Sequence, residues 1–335
     1  MSLMDAVKAY ANKVNEFMFN LLPLKPKLDF LYSASRHLLE AGGKRLRPFL
    51  VIQSCLAVGG EEEVAIPMAA AVELIHNFTL IHDDIMDKDE FRRGVPTVHV
   101  IWGIPMAILA GDLLFSKAFE AVFYCSRYSS ISLRRLTEAG KRLAEAVSTI
   151  AEGQALDMKM SGILKEKIVD EKEYFEMISK KTAALFKVSC EIGALIGGGT
   201  EEQILALSRY GDNIGIAFQM WDDILGVVAD EKVLGKPVGS DLREGKCTLI
   251  LIHALKNADE IDKEFIMNIY GKDDFSKDDF NRFLKILEKT GSIKYVLDIA
   301  KKHVEVAKDS LRILPESNAK SLLIQLADFI VSRKY

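Results

Sequence analysis

Apolar residues recur at helical spacing along almost the whole chain, and no stretch keeps the two-residue alternation of a half-buried strand. The periodic segments lie near residues 5–20, 28–41, 47–58, 64–86, 104–124, 132–160, 170–196, 201–230, 246–257, 260–270, 276–290, 293–313 and 319–333. Helix-stopping glycines separate them: Gly42-Gly43, Gly59-Gly60, Gly94-Val95-Pro96 and Gly197-Gly198-Gly199. No Asn-Gly hairpin, low-complexity linker or fixed repeat interrupts the pattern. The expected fold is all-α: one domain over residues 1–335, a single bundle of about a dozen helices. Met1-Ser2-Leu3, ahead of Met4, reads as a cloning remnant and is set aside.

Composition narrows the function classes. Hydrophobic residues make up 49% of the chain and charged residues 27%, enough for a sizeable core. The net charge of -4, with no long basic run, gives no nucleic-acid footprint. No run reaches the roughly 18 consecutive apolar residues of a membrane span, and no basic-then-apolar leader opens the chain. Cys55, Cys125, Cys190 and Cys247 are widely spaced and read as reduced thiols of a cytoplasmic protein.

Segment 64–86 is apolar over most of its circumference, which places it at the centre of a bundle. Yet it ends in Asp83, Asp84 and Asp87, at the negative pole of its own dipole. Asp83 and Asp87 lie about 40° apart on a helix and Asp84 about 100° from Asp83, so one face carries all three. Hard oxygen ligands so placed suit magnesium completed by substrate phosphate oxygens; a solvated acidic helix end has the same pattern. Asp222-Asp223 ends a second apolar stretch, and two such ends facing each other would form a carboxylate-walled cleft.

Cations flank both motifs. Gly42-Gly43-Lys44-Arg45-Leu46-Arg47-Pro48 is a glycine turn with three of them, Arg92-Arg93-Gly94 follows the first motif, and Gly235-Lys236-Pro237 and Gly245-Lys246 follow the second. They either neutralise the acids or bind one polyanion jointly with metal ions, arginine as a planar fork and lysine as a point charge. No Walker-type phosphate loop is present.

Taken in order, the blocks GGKRLRP, HDDIMD, RRG, GDLLF, GQALD, KT, FQMWDD, GK, GSD and GK resemble the trans-isoprenyl diphosphate synthases, or polyprenyl synthetases, over most of the chain. The resemblance implies an all-helical isoprenoid synthase fold around a deep central cavity, a homodimer, and condensation of isopentenyl diphosphate with an allylic diphosphate (dimethylallyl, geranyl or farnesyl). It implies two to three Mg2+ ions held by Asp83, Asp84, Asp87, Asp222 and Asp223, with Asp157 on the same cleft. It makes Arg92, Lys181, Lys236 and Lys246 allylic-diphosphate contacts, and Lys44, Arg47, His76 and Arg93 the isopentenyl diphosphate site. Gln154, Thr182 and Gln219 match polar positions lining the cleft. His76 falls about 20° from Asp83 on the helical wheel, so it shares that face, although a buried histidine is more often a core residue.

One position departs from the family pattern. The second motif usually reads DDxxD, but Gly226 stands where the last aspartate would be, and Asp230, about 12 Å beyond Asp222, is too far to replace it. Weaker metal binding, relieved by Gly226→Asp, is the expectation. The first motif has no insertion, and Phe78 with the smaller Thr79 precedes it, a pattern resembling archaeal-type geranylgeranyl (C20) diphosphate synthases. Phe78 falls about 140° from Asp83, so the wheel alone does not place it in the pocket. Three alternatives stay open: a farnesyl or longer-chain synthase, a non-catalytic regulatory subunit, and a terpene cyclase, against which Lys44, Arg47 and Arg93 speak.

Overall fold

A computed structural model describes residues 2–166, 169–228, 239–272 and 274–332. Among them the chain is helical apart from one two-stranded ribbon, as the spacing predicted. Most helices fall within a few residues of their expected positions: Leu3–Leu21, Asp29–Glu40, Leu46–Ala57, Glu62–Asp87, Ile104–Tyr124 and Leu133–Met160 in the first half. Ser2 caps the first helix by accepting from the Asp5 amide, and Leu3 is buried, so these residues join the fold.

The helices divide into two compact units: Met1–Val147 with Leu185–Gly211 and Ser310–Leu326, and Ser148–Ala184 with Asp212–Asp309 and Ala327–Tyr335. At the centre of the first lies the Glu62–Asp87 helix, packed against Leu46–Ala57 and Ile104–Tyr124. Its length and mean hydropathy of 1.6 would let it cross a membrane, but 72% of its apolar window is buried within the protein. Gly111 permits the closest approach of Ile104–Tyr124: a Cβ there would fall 2.2 Å from His82 Nε2. All four cysteines are free and buried.

Two departures from the expected elements bear on function. Segment 170–196 is not one α-helix: Glu171–Ile178 gives way to a π-helical turn, Ser179–Ala183, before helix resumes at Ala184–Ile196. Gly153 of the Leu133–Met160 helix abuts that turn so closely that a Cβ would sit 2.2 Å from the Lys181 backbone nitrogen. Lys181 and Thr182 therefore leave the chain from a turn that carries one residue more than an α-helical one, a form found often at functional sites.

The other departure is the ribbon, where Phe91–Arg92 pairs with Val95–Pro96. Its two-residue turn is Arg93-Gly94, with φ of 54° and 77°. Both central residues are left-handed, the condition for the tight turn that matches strand twist. Arginine is an unusual choice there, and its side chain explains it below.

Candidate active site

In the first unit, the basic block turns through Gly42 and Gly43, with φ of 97° and 139°, and through Arg45 with φ of 49°. Arg45 is buried. Its guanidinium donates to Asn15 Oδ1 at 3.0 Å, the Gly42 carbonyl at 3.1 Å, Glu73 Oε1 at 2.8 Å and the Leu39 carbonyl at 2.7 Å. Arg93 anchors the same loop: its Nη1 donates to the carbonyls of Leu38, at 2.7 Å, and Gly42, and to Asn77 Oδ1 at 3.1 Å. Those acceptors hold Arg93 in its left-handed backbone.

The three cations of the block therefore part company. Arg45 is spent on structure, Lys44 is exposed and Arg47 is half-buried. Arg47 lies 4.4 Å above the Phe186 ring and 3.2 Å from His76 Nε2. Burial, then the positive charges of Arg47, Arg93, Arg92 and Arg45, push the His76 pKa well below the usual histidine value. His76 is thus neutral, and its Nε2 accepts from Arg47.

The first acidic motif separates its members. Asp84 is fully buried and takes the Arg92 Nε hydrogen bond, while Arg92 Nη2 donates to Asp89 at 3.1 Å. Burial opposes the charge on Arg92, but Asp84, Asp89 and Asp83 outweigh it and raise its pKa. Asp83 and Asp87 are half-buried on the same helix. Phe78 points towards Ile104–Tyr124, with its ring 5.3 Å from Phe115, itself 5.2 Å from Phe119. Thr79 turns its hydroxyl back to the His76 carbonyl at 2.8 Å.

In the second unit, Asp157, Lys181, Thr182, Gln219, Asp222, Asp223 and Lys246 line one cavity of ≈ 180 Å³, together with Tyr174 and Asp241. Asp157 accepts from Lys181 and, at 3.4 Å, from Lys246. Burial would raise the Asp157 pKa, but the two ammonium groups overcome it and lower it. Gln154, one turn earlier, is buried. Thr182 donates to Gln219 Oε1 at 2.7 Å, and Gln219 Nε2 to Asp223 Oδ1 at 2.8 Å. Burial and the charge of Asp241 push the Asp223 carboxyl up to about 8. Lys236 lies outside the described residues.

Lys246 is held by a stapled loop. The Gly162 amide donates to the Gly245 carbonyl at 2.9 Å, the Gly271 amide to the Leu242 carbonyl at 2.8 Å, and the Tyr270 hydroxyl to the Gly245 carbonyl. The same loop brings Asp241 to Gly226, where a Cβ would fall 2.8 Å from Asp241 Oδ2. The space for a side chain at the departing position is thus taken by a carboxylate from elsewhere in the chain.

Among the described residues, no three His, Cys, Asp or Glu side chains converge as a ready-made metal cage. The donors are carboxylates set singly or in pairs, the arrangement suited to a cation that completes its shell with substrate oxygens and water.

The profile of the polyprenyl synthetase family matches residues 28–287. The chain belongs to that family. It is 45% identical over 335 residues to the geranylgeranyl diphosphate synthase of Methanosarcina mazei, covering 100% of this chain and 99% of that one. Among solved structures, geranylgeranyl pyrophosphate synthetase from Pyrococcus horikoshii is similar with a TM-score of 0.91 and 51% identity, over 99% and 98% of the two chains. Polyprenyl synthase from Caulobacter crescentus, complexed with calcium and isoprenyl diphosphate, gives 0.89 and 34% over 99% and 97%. As a polyprenyl synthetase the chain is a trans-prenyltransferase with the all-α fold. The terpene cyclase and subunit-only readings are not favoured.

Several residues of this polyprenyl synthetase escaped the sequence reading. Glu73 and Asn77 sit inside an apolar helix and pair with the distant Arg45 and Arg93, so only their polarity flagged them. Asp241 stood in the quoted GSD block without a role. Tyr174 gave no signal, because an aromatic at helical spacing reads as core.

Proposed function

We propose that the chain condenses isopentenyl diphosphate with an allylic diphosphate to give geranylgeranyl diphosphate, with Mg2+ as the metal. The observation that carries this reading is the second-unit cavity, where Asp222 stands among Lys181, Lys246, Thr182 and Gln219. Asp83 and Asp87, the first aspartate-rich motif on the Glu62–Asp87 helix, are assigned to the metal as well. Bound magnesium supplies Lewis-acid neutralisation of the leaving diphosphate.

The protein's own groups do the rest. Lys181 and Lys246, aimed by Asp157, balance charge on the departing diphosphate, with Arg92 and Lys236 assigned to the same group. Lys44, Arg47 and Arg93 take the second diphosphate, and neutral His76 orients Arg47. The allylic C–O bond ionises, the isopentenyl double bond attacks the cation, and the departing diphosphate takes the proton. Apolar walls keep water from the cation. The Caulobacter relative's complex with calcium and isoprenyl diphosphate supports a divalent ion beside a prenyl diphosphate.

For chain length, Phe78 with Phe115 forms the floor that stops growth at C20. The alternatives are a farnesyl synthase or a longer-chain one. Val100, Ile101, Ile104, Ile108 and Leu109 are 44–52% exposed, an apolar face of the kind a second copy covers, and we assign it to a homodimer. The cytoplasm is the proposed location, and residues 1–335 act as one polyprenyl synthetase domain.

The test is incubation of the purified chain with isopentenyl diphosphate and each allylic starter, with and without magnesium, followed by chromatography of the products. C20 diphosphate formed only with magnesium is the expected result, and Phe78→Ala should shift products beyond C20. No condensation by the folded chain would remove the proposal, and an unchanged product distribution in the variant would remove Phe78 from it.

A further inference from the structure

Three arginines of the first unit each meet a partner on one face of the Glu62–Asp87 helix. Glu73 Oε1 accepts from Arg45 at 2.8 Å, His76 Nε2 from Arg47 at 3.2 Å, and Asn77 Oδ1 from Arg93 at 3.1 Å. Positions i, i+3 and i+4 share a helix face, so the three partners stand together. Of the three, only Glu73 is an acid.

Asn77 is fully buried and bonded on both sides of its amide. Its Nδ2 donates to the Glu73 carbonyl at 2.8 Å and to Glu73 Oε1 at 3.0 Å, while its Oδ1 faces Arg93. The direction is fixed, because a backbone carbonyl only accepts and a guanidinium only donates. A reversed amide would lose these bonds. Since Glu73 Oε1 also accepts from Arg45, Asn77 joins two arginines that are far apart in sequence.

Both of those arginines close on one carbonyl. Arg45 Nη1 donates to the Gly42 oxygen at 3.1 Å, and Arg93 Nη1 donates to the same atom. Gly43 runs beside both: a Cβ there would fall 3.1 Å from Arg45 Nη1, Arg93 Cζ and Arg93 Nη2. The turn that leads into Lys44 and Arg47 is thus clamped by two guanidiniums, and Asn77 links them. An aspartate at position 77 would hold Arg93 equally well but cancel its charge. The amide accepts the bond and leaves that charge for an anion.

We propose that Asn77 is a positioning residue for the isopentenyl diphosphate site: it ties the Arg45–Glu73 pair to Arg93, and so sets both Arg93 and the turn that carries Lys44 and Arg47. The proposal rests on the prenyl-transfer reading, in which these cations take the second diphosphate. Lys181 and Lys246, assigned to the allylic diphosphate, are placed by Asp157 instead. Loss of Asn77 therefore weakens one substrate and spares the other.

The experiment measures steady-state kinetics with each substrate varied in turn. It compares the wild type with Asn77→Leu, Asn77→Ala, Arg93→Met and Asn77→Leu/Arg93→Met, with folding checked by circular dichroism. Asn77→Leu should raise the KM for isopentenyl diphosphate about 10- to 100-fold, the scale of a lost bond to a charged group. The allylic KM and kcat should stay within about three-fold, as expected when binding alone is lost. In the Arg93→Met background, the same substitution should change the isopentenyl diphosphate KM by less than about three-fold, because the group it acts through is already gone.

Any of three results would overturn the proposal. The first is an isopentenyl diphosphate KM within about three-fold of the wild type in a folded Asn77 variant. The second is a parallel rise in both KM values, which a merely structural residue would give. The third is an effect of full size in the Arg93→Met background. Asn77→Ala, which adds no bulk, decides the question if Asn77→Leu fails to fold. No condensation by the wild type would remove the prenyl-transfer reading and this proposal with it; an active wild type leaves the variants to judge Asn77 alone.

Discussion

Both acidic pairs sit on largely apolar helices, yet they bury their second carboxylate by different means. Asp84 faces a cation, Arg92, which Asp89 also holds. Asp223 faces two neutral donors, Tyr174 and Gln219, and burial, then the further acid Asp241, raises its pKa. In the first unit charge is balanced by charge, and the same economy governs Arg45 with Glu73. In the second, neutral hydrogen bonds fix direction. An ion pair orients Asp84, while neutral donors orient Asp223 on the cavity wall.

The largest expected effect breaks the charge-balanced side. The Arg45 and Glu73 side chains are 1% and 2% exposed, so Arg45→Met strands a buried carboxylate. It should cost about 3–5 kcal/mol in chemical denaturation. Tyr174→Phe, which removes only a neutral donor, should cost about 1–3 kcal/mol. Equal losses would erase the contrast between the units. The next effect is functional: Asp222→Asn should lower kcat/KM by about 10²–10³-fold, as for loss of a group that stabilises developing charge. It should also raise the magnesium half-saturation, which a magnesium titration reads.

The smallest effect concerns Gly226. Restoring the family's third aspartate was expected to strengthen metal binding, but a side chain there meets the Asp241 carboxylate. Gly226→Asp should lower stability by about 1–3 kcal/mol through crowding, with like charge adding to it, and should leave the magnesium half-saturation no lower. A lowered half-saturation would show that the position was merely vacant.

What the sequence disclosed was periodicity and chemistry at segment ends. The Glu62–Asp87 helix could be placed at a core because its apolar residues go all round it, and its terminal acids stood out against that background. The Gly-rich basic loop was visible for the same reason. Roles within each cluster were hidden, because they depend on which neighbour comes near in space. Lys44, Arg45 and Arg47 look equivalent along the chain; Glu73 and Asn15, far away in sequence, remove Arg45 from the set. The π-helical turn left no mark, since one inserted residue hardly disturbs helical spacing, and Gly153, which abuts it, lies on another helix. The Arg93-Gly94 turn lacked the usual Asn-Gly signature because distant carbonyls, rather than local preference, hold Arg93 left-handed.

The central proposal is that the second-unit cavity, with Asp222, Lys181 and Lys246 on its wall, holds the metal-bound diphosphate. Anomalous scattering from crystals grown with Mn2+ and a non-ionising allylic thiodiphosphate addresses it directly. The account predicts metal peaks that share the diphosphate oxygens and lie within coordinating distance of Asp222, with Lys181 and Lys246 on the same diphosphate. Metal peaks away from Asp222, or a diphosphate that neither Lys181 nor Lys246 touches, would contradict it.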